Sequence, residues 1–87
     1  MNLLEGKTAV VPGGAKNIGR AISLSLAEAG ASVVIITRTN LEAAEKVVDE
    51  IISAGGSALA LQGDVSDGRD VVAFTQKAIM AYGAVDI

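Results

Sequence analysis

The sequence predicts an α/β chain, half of a doubly wound parallel sheet, and three observations point there. Short apolar runs at Lys7–Val11, Ala31–Thr37 and Ser57–Gln62 are nearly uninterrupted, the pattern of strands covered on both faces. Stretches with helical apolar spacing lie between and after them. Glycines mark the junctions at Gly13-Gly14, Gly30, Gly55-Gly56 and Gly83. Strands and helices alternating in this way form a parallel sheet through right-handed crossovers.

Lys7-Thr8-Ala9-Val10-Val11 is the first strand. From Ile18 the apolar positions Ile18, Ala21, Ile22, Leu26 and Ala29 repeat at helical spacing and stop at Gly30, a residue suited to the left-handed position after a helix. Ser32-Val33-Val34-Ile35-Ile36 supplies the β-branched side chains of the second strand. Thr39-Asn40-Leu41-Glu42 has the Thr-x-x-Glu form of a capping box, which predicts Thr39 as the cap of the second helix. Leu41, Ala44, Val47, Val48, Ile51 and Ile52 form that helix's apolar face, up to Gly55-Gly56. Ser57–Gln62 is the third strand and Gly63–Asp67 its loop. The third helix runs from Asp67 or Gly68 to Tyr82, with Val71, Phe74, Ala78 and Tyr82 on one face, Asp67 as a cap and Gly83 at its end. Ala84–Ile87 begins a fourth strand. With no internal repeat, low-complexity segment or linker, the expectation is one domain over residues 1–87.

At this length a domain buries only about 60–65% of its unfolded surface. Phe74 and Tyr82 are the only aromatic residues, so the core must be aliphatic. Seven basic against ten acidic residues leave a net charge of −3 with no basic cluster, which argues against nucleic acid or an anionic membrane as partner. The absence of cysteine and histidine removes disulfides, thiol nucleophiles, imidazole bases and the usual zinc ligands, so no metal site is expected. The opening residues lack a basic segment followed by a long apolar run, and the aliphatic stretch Val33–Ile36 is too short to span a bilayer. These features predict a soluble cytoplasmic protein.

The chemistry-bearing stretch is Val11-Pro12-Gly13-Gly14-Ala15-Lys16-Asn17-Ile18-Gly19-Arg20, a glycine-rich bend between a strand and a helix. Such a bend aims the helix's unpaired N–H groups and its positive dipole end at whatever lies above, and an anion is the natural occupant. The same residues also suit a plain βα connection. Polar residues at the ends of the second and third strands, where a dinucleotide's ribose and base would fall, favour the ligand site. Gly6-Lys7-Thr8 mimics the tail of a P-loop, but it precedes its strand, and the required earlier glycine position is Met1.

Gly13-Gly14-Ala15-Lys16-Asn17-Ile18-Gly19-Arg20-Ala21-Ile22 resembles the cofactor motif of the short-chain dehydrogenase/reductase family, usually Thr-Gly-x-x-x-Gly-x-Gly. The resemblance continues through Ala27-Glu28-Ala29-Gly30-Ala31, Ile36-Thr37-Arg38, Asp64-Val65-Ser66-Asp67 and Tyr82-Gly83-Ala84-Val85-Asp86-Ile87. It implies a three-layer Rossmann-like half domain of sheet order 3-2-1, with strand 4 beginning beyond strand 1. It also implies a nicotinamide dinucleotide held by Gly13, Lys16, Asn17, Ile18 and Gly19, with Thr37 and Arg38 at the ribose and Asp64 and Val65 at the adenine. Two positions depart from the pattern. Asn17 replaces the middle glycine, and asparagine is the non-glycine residue that best tolerates a left-handed backbone. Pro12 replaces the threonine, removing a hydroxyl and a backbone N–H beside the expected fourth strand.

An NAD-selective site needs a carboxylate at the end of the second strand. None lies between Ala29 and Leu41; Thr37 stands there, followed by Arg38, with Lys16 on the glycine-rich turn. This resembles NADP-preferring members of the family, the other reading being that both cations are solvated surface charges. Asp64, Ser66 and Asp67 are likewise open to a reading as loop and cap residues.

The family's Ser and Tyr-x-x-x-Lys residues cannot be placed, since Tyr82 is followed by Asp86 four residues on. The expectation is therefore the NADP-binding N-terminal portion of a reductase, without catalytic residues and inactive alone. The alternative is a non-catalytic nucleotide-binding or self-assembling interaction module. An uncovered sheet face and an open strand edge predict a homo-oligomer.

Overall fold

The computed structural model describes residues 3–13 and 17–87. Its elements are β1 (Thr8–Pro12), α1 (Asn17–Glu28), β2 (Ser32–Thr37), α2 (Leu41–Ser53), β3 (Ser57–Gln62) and α3 (Gly68–Tyr82). The strands form a parallel sheet of order β1-β2-β3. Its register places Pro12 opposite Ile36, and Thr37 opposite Gln62. The carboxyl ends of all three strands therefore reach one level.

The central strand β2 explains why its sequence is apolar without interruption. Val33 and Ile35 join Val11 in a core with Ala44, Val47, Val48 and Ile51 of α2, against which Leu24, Leu26 and Ala27 of α1 pack. Val34 and Ile36 face the other way, into a cluster with Phe74 and Ala78 of α3, bordered by Val71 and Tyr82. Burial raises the Tyr82 phenol above its ordinary range.

β1 begins one residue later than the sequence predicts and includes Pro12. The ladder shows why proline is tolerated there. Thr8 N–H donates to Asp86 Oδ2 at 2.9 Å and Val10 N–H to the Ile87 carbonyl at 2.9 Å, both on the side away from β2. Strand alternation puts Pro12's missing N–H on that outer side too. Toward β2 the ladder continues, with Gly13 N–H donating to the Ile36 carbonyl at 2.9 Å. The expected fourth strand over Ala84–Ile87 is not formed as an element. Its last residues nevertheless lie beside β1: the N–H groups of Asp86 and Ile87 both donate to the Thr8 carbonyl, at 2.8 and 3.1 Å. A single residue bracketed in this way is too short for a strand.

The face predicted for α1 is corrected in its first half, whereas Leu26 packs against the core as expected. Ile18 is 76% exposed and Ile22 46% exposed, and Ala21 is exposed as well. The fully buried position is Ser23, whose hydroxyl donates to the Gly19 carbonyl at 2.8 Å. Gly19, Ser23 and Ala27 recur every four residues on that side. With the small residue Ser23 as the buried position and Ala27 against the core, the larger Ile18 and Ile22 are left on the outer side. The helix ends as expected: Gly30 (φ 103°) donates to the Ala27 carbonyl and Ala31 to that of Leu26, each at 3.0 Å. These are the paired bonds of a Schellman motif.

The cap of α2 is also corrected. Asn40, not Thr39, precedes the helix, and its Oδ1 accepts from Ala43 N–H at 3.0 Å. Asn40 N–H in turn donates to Thr37 Oγ1 at 3.1 Å, which places the first helical turn one residue later than the capping-box spacing implies. Asn40→Ala is expected to cost about 1 kcal/mol in urea unfolding, and Thr39→Ala only a few tenths. Ile52, expected on the buried face, is 54% exposed, one step past Ile51 around the helix. β3 and α3 have the predicted bounds. Asp67 caps α3 by accepting from Arg69 N–H, and Gly83 (φ 88°) closes it onto the Ile79 carbonyl. No helix among the described residues is long and apolar enough to cross a membrane.

Candidate functional site

A cavity of about 240 Å³ opens at the carboxyl ends of the strands, lined by Pro12, Gly13, Ile36, Thr37, Arg38, Thr39, Gly63 and Val65. Parallel sheets place ligands at this end, where loops leave the strands and helix N-termini point inward. The register creates the convergence: Pro12 is level with Ile36, and Gly63 N–H donates to the Thr37 carbonyl at 2.9 Å, so three successive loops start side by side.

Of the nine residues the sequence nominated, the cavity brings together Gly13, Thr37, Arg38 and Val65. Asp64 stands between the lining residues Gly63 and Val65. Gly13 has a left-handed backbone (φ 69°) and so does Asn17 (φ 47°), the latter as its residue type suggests. Asn17 and Ile18 are exposed in the first turn of α1, and Gly19 is half-buried beneath them. Lys16, with Gly14 and Ala15, lies outside the described residues.

The electrostatics are simple. Arg38 is exposed; its carbonyl accepts from Gln62 Nε2 at 3.2 Å, and its guanidinium has no hydrogen bond or ion pair among the described residues. Thr37 Oγ1 is engaged by Asn40 N–H. The Asp64 carboxyl is held below the ordinary carboxylate range by the Ser66 hydroxyl, then by the Ser66 N–H, with a smaller contribution from the Arg38 charge. Its ionised form is therefore in place at neutral pH, and whatever it contributes to folding is lost only as pH falls through that lowered value.

Sequence reasoning missed Pro12, Ile36, Thr39 and Gly63 as lining residues. Counting each strand to its last residue would have found them, since they all flank a strand end. It also missed the anchoring of Asp64 by Asp70, whose Oδ2 accepts from Asp64 N–H at 2.9 Å.

A larger cavity of about 630 Å³ sits at the opposite end of the sheet. Glu5, Glu28 and Glu50 line it, with the C-terminal ends of α1 and α2. Helix C-termini and carboxylates repel an anion, so size notwithstanding this is not the site for a phosphate-bearing ligand. Among the described residues no group of acidic side chains could hold a metal ion. The smaller cavity lies below the range of about 300–1,000 Å³ usual for a complete small-molecule site, which suits one end of an extended ligand.

The family model described as short chain dehydrogenase matches residues 7–87. Elsinochrome reductase 1 of Elsinoe fawcettii is 45% identical over 84 residues, which is 97% of this chain and 32% of that protein. A versicolorin reductase of Emericella nidulans is 44% identical over the same shares. The crystal structure of a hydroxysteroid dehydrogenase from Escherichia coli superposes with a TM-score of 0.91 and 42% identity, covering 99% of this chain and 37% of that one. The chain thus spans about a third of the length of the relatives it matches.

Proposed function

Since the chain belongs to the short-chain dehydrogenase family, we propose that it binds NADP(H) and forms the cofactor-holding portion of an oxidoreductase. The observation that carries this is the rim of the strand-end cavity: no carboxylate ends β2, and the Arg38 guanidinium stands there with no hydrogen bond or ion pair among the described residues. A guanidinium in that place suits a ribose 2′-phosphate, whereas a carboxylate would suit the bare ribose diol. Lys16 is a second cation in sequence reach of the same phosphate. That two of the similar proteins are named reductases supports the same reading.

In this assignment the pyrophosphate lies over the turn from Gly13 to Gly19, with the Asn17 and Ile18 N–H groups at the start of α1 as donors. Thr37 and Arg38 face the ribose, Val65 lies along the adenine and Asp64 accepts from its amino group. When bound, the dinucleotide would provide the redox chemistry, its reduced form donating a hydride to a carbonyl or its oxidised form accepting one from an alcohol. The residues present here bind and orient it. With no Tyr-x-x-x-Lys in the sequence, these 87 residues bind without turning substrate over. We also infer self-association through apolar surface such as Val72, Ile79 and Met80 on α3, exposed at 57%, 45% and 86%; a monomeric mass in light scattering overturns it.

Calorimetric titration with NADPH and NADH tests the cofactor. NADPH is expected to bind about ten- to hundredfold more tightly, the value of one charge-assisted hydrogen bond. Equal affinities would leave nicotinamide dinucleotide binding in place and remove the NADP assignment. Failure of both to bind would favour an assembly module that has lost the ligand.

A further inference from the structure

The turn between β3 and α3 is braced from several sides around one side chain. Ser66 donates twice to a single oxygen of Asp64: its hydroxyl reaches Oδ1 at 2.6 Å and its N–H reaches the same atom at 2.8 Å. The Asp64 backbone is fixed as well, its N–H donating to Asp70 Oδ2 at 2.9 Å and its carbonyl accepting from Asp67 N–H at 3.0 Å. Among the described residues Oδ2 of Asp64 has no hydrogen-bond partner. A carboxylate tied by two donors at one oxygen cannot rotate freely, so the other oxygen is held in a set direction as a pure acceptor.

From this geometry we infer that Ser66 is a positioning residue that makes the base end of the site select a 6-aminopurine over a 6-oxopurine. The inference rests on the cofactor reading above. An exocyclic amino group donates to a fixed carboxylate oxygen, whereas a 6-oxo group presents a second acceptor and is repelled. Without Ser66's hydroxyl, Asp64 retains one bond and gains rotational freedom, so the carboxylate can turn away from a 6-oxo group at little cost. The other charged groups around this turn are Arg38 at the end of β2, and Asp67, Arg69 and Asp70 at the start of α3. Arg69 is occupied with Asp67 at 3.5 Å, and Asp70 with Asp64 N–H, so Ser66 is the hydroxyl that sets the carboxylate's orientation.

The test compares NADPH with its 6-oxo analogue, reduced nicotinamide hypoxanthine dinucleotide phosphate, on the wild type, S66A and S66T. The wild type is expected to prefer NADPH by about tenfold, and S66A by about threefold or less, while S66T keeps the wild-type ratio because threonine retains the hydroxyl. Carbon-13 titration of the Asp64 carboxyl without cofactor is expected to move upward in S66A and to return in S66T. A structural role alone would weaken both ligands equally. S66A binding both ligands with an unchanged ratio, or an unmoved Asp64 titration, overturns the inference while leaving the cofactor reading intact. A wild type that binds neither ligand overturns both.

Discussion

Arg38→Ala is expected to reduce the preference for NADPH over NADH by about ten- to hundredfold, with NADH affinity changed by about threefold or less. The asymmetry follows from what the guanidinium does in the proposed site. It meets a charge that only the 2′-phosphorylated form carries, and a hydrogen bond to a charged group contributes about 1.5–3 kcal/mol, at 1.4 kcal/mol per decade of affinity. Because Arg38 is exposed, the loss should shrink in raised salt. Thr37→Asp makes the opposite change, placing a carboxylate at the end of β2, and is expected to favour NADH and repel the phosphate. Parallel calorimetry of the two variants decides the matter. An unchanged NADPH:NADH ratio in Arg38→Ala would show that the cation is solvated surface charge and nothing more.

Ile35→Ala should destabilise the fold by about 2–5 kcal/mol, a large part of the 5–15 kcal/mol typical of a whole domain. Ile35 is completely buried at the centre of β2, with Val11 beside it in register and α2 above. Removing its side chain loses the transfer energy of the deleted carbons and leaves a cavity that a three-stranded sheet can close only by moving its central strand. Ile52→Ala is the control. At 54% exposure it deletes the same atoms from a site still largely in water, and a change of no more than about 0.5 kcal/mol is expected. Comparable losses for the two, read from urea midpoints at equal slope, would mean that α2 docks with a different face than the one described.

Much of this fold was legible because its signals are local. β3 and α3 took their predicted bounds, and the Asp67 cap and Gly83 stop followed from residue type alone. The α2 cap was misplaced by one residue because Thr39 and Asn40 are both competent caps. The choice fell to the neighbour whose N–H could also reach Thr37 Oγ1. The first half of the α1 face differs for another reason, while Leu26 packs as its spacing implies. Hydrophobic periodicity rewards Ile18 and Ile22, whereas the packing buries the small Ser23 and sets Ala27 against the core.

The sequence by itself determined the order of strands and helices, the glycine-rich turn, the lack of a carboxylate after β2 and the family resemblance that the comparisons bear out. Each of these is written along the chain, in spacing and residue type. Only the tertiary structure decided that Gly13, Thr37, Arg38 and Val65 share one cavity, that Pro12's missing N–H faces away from β2, and that Ser66 holds Asp64 at one oxygen. Those facts depend on parallel register and on how each helix is rotated against the sheet, and both are set by packing between residues far apart in sequence.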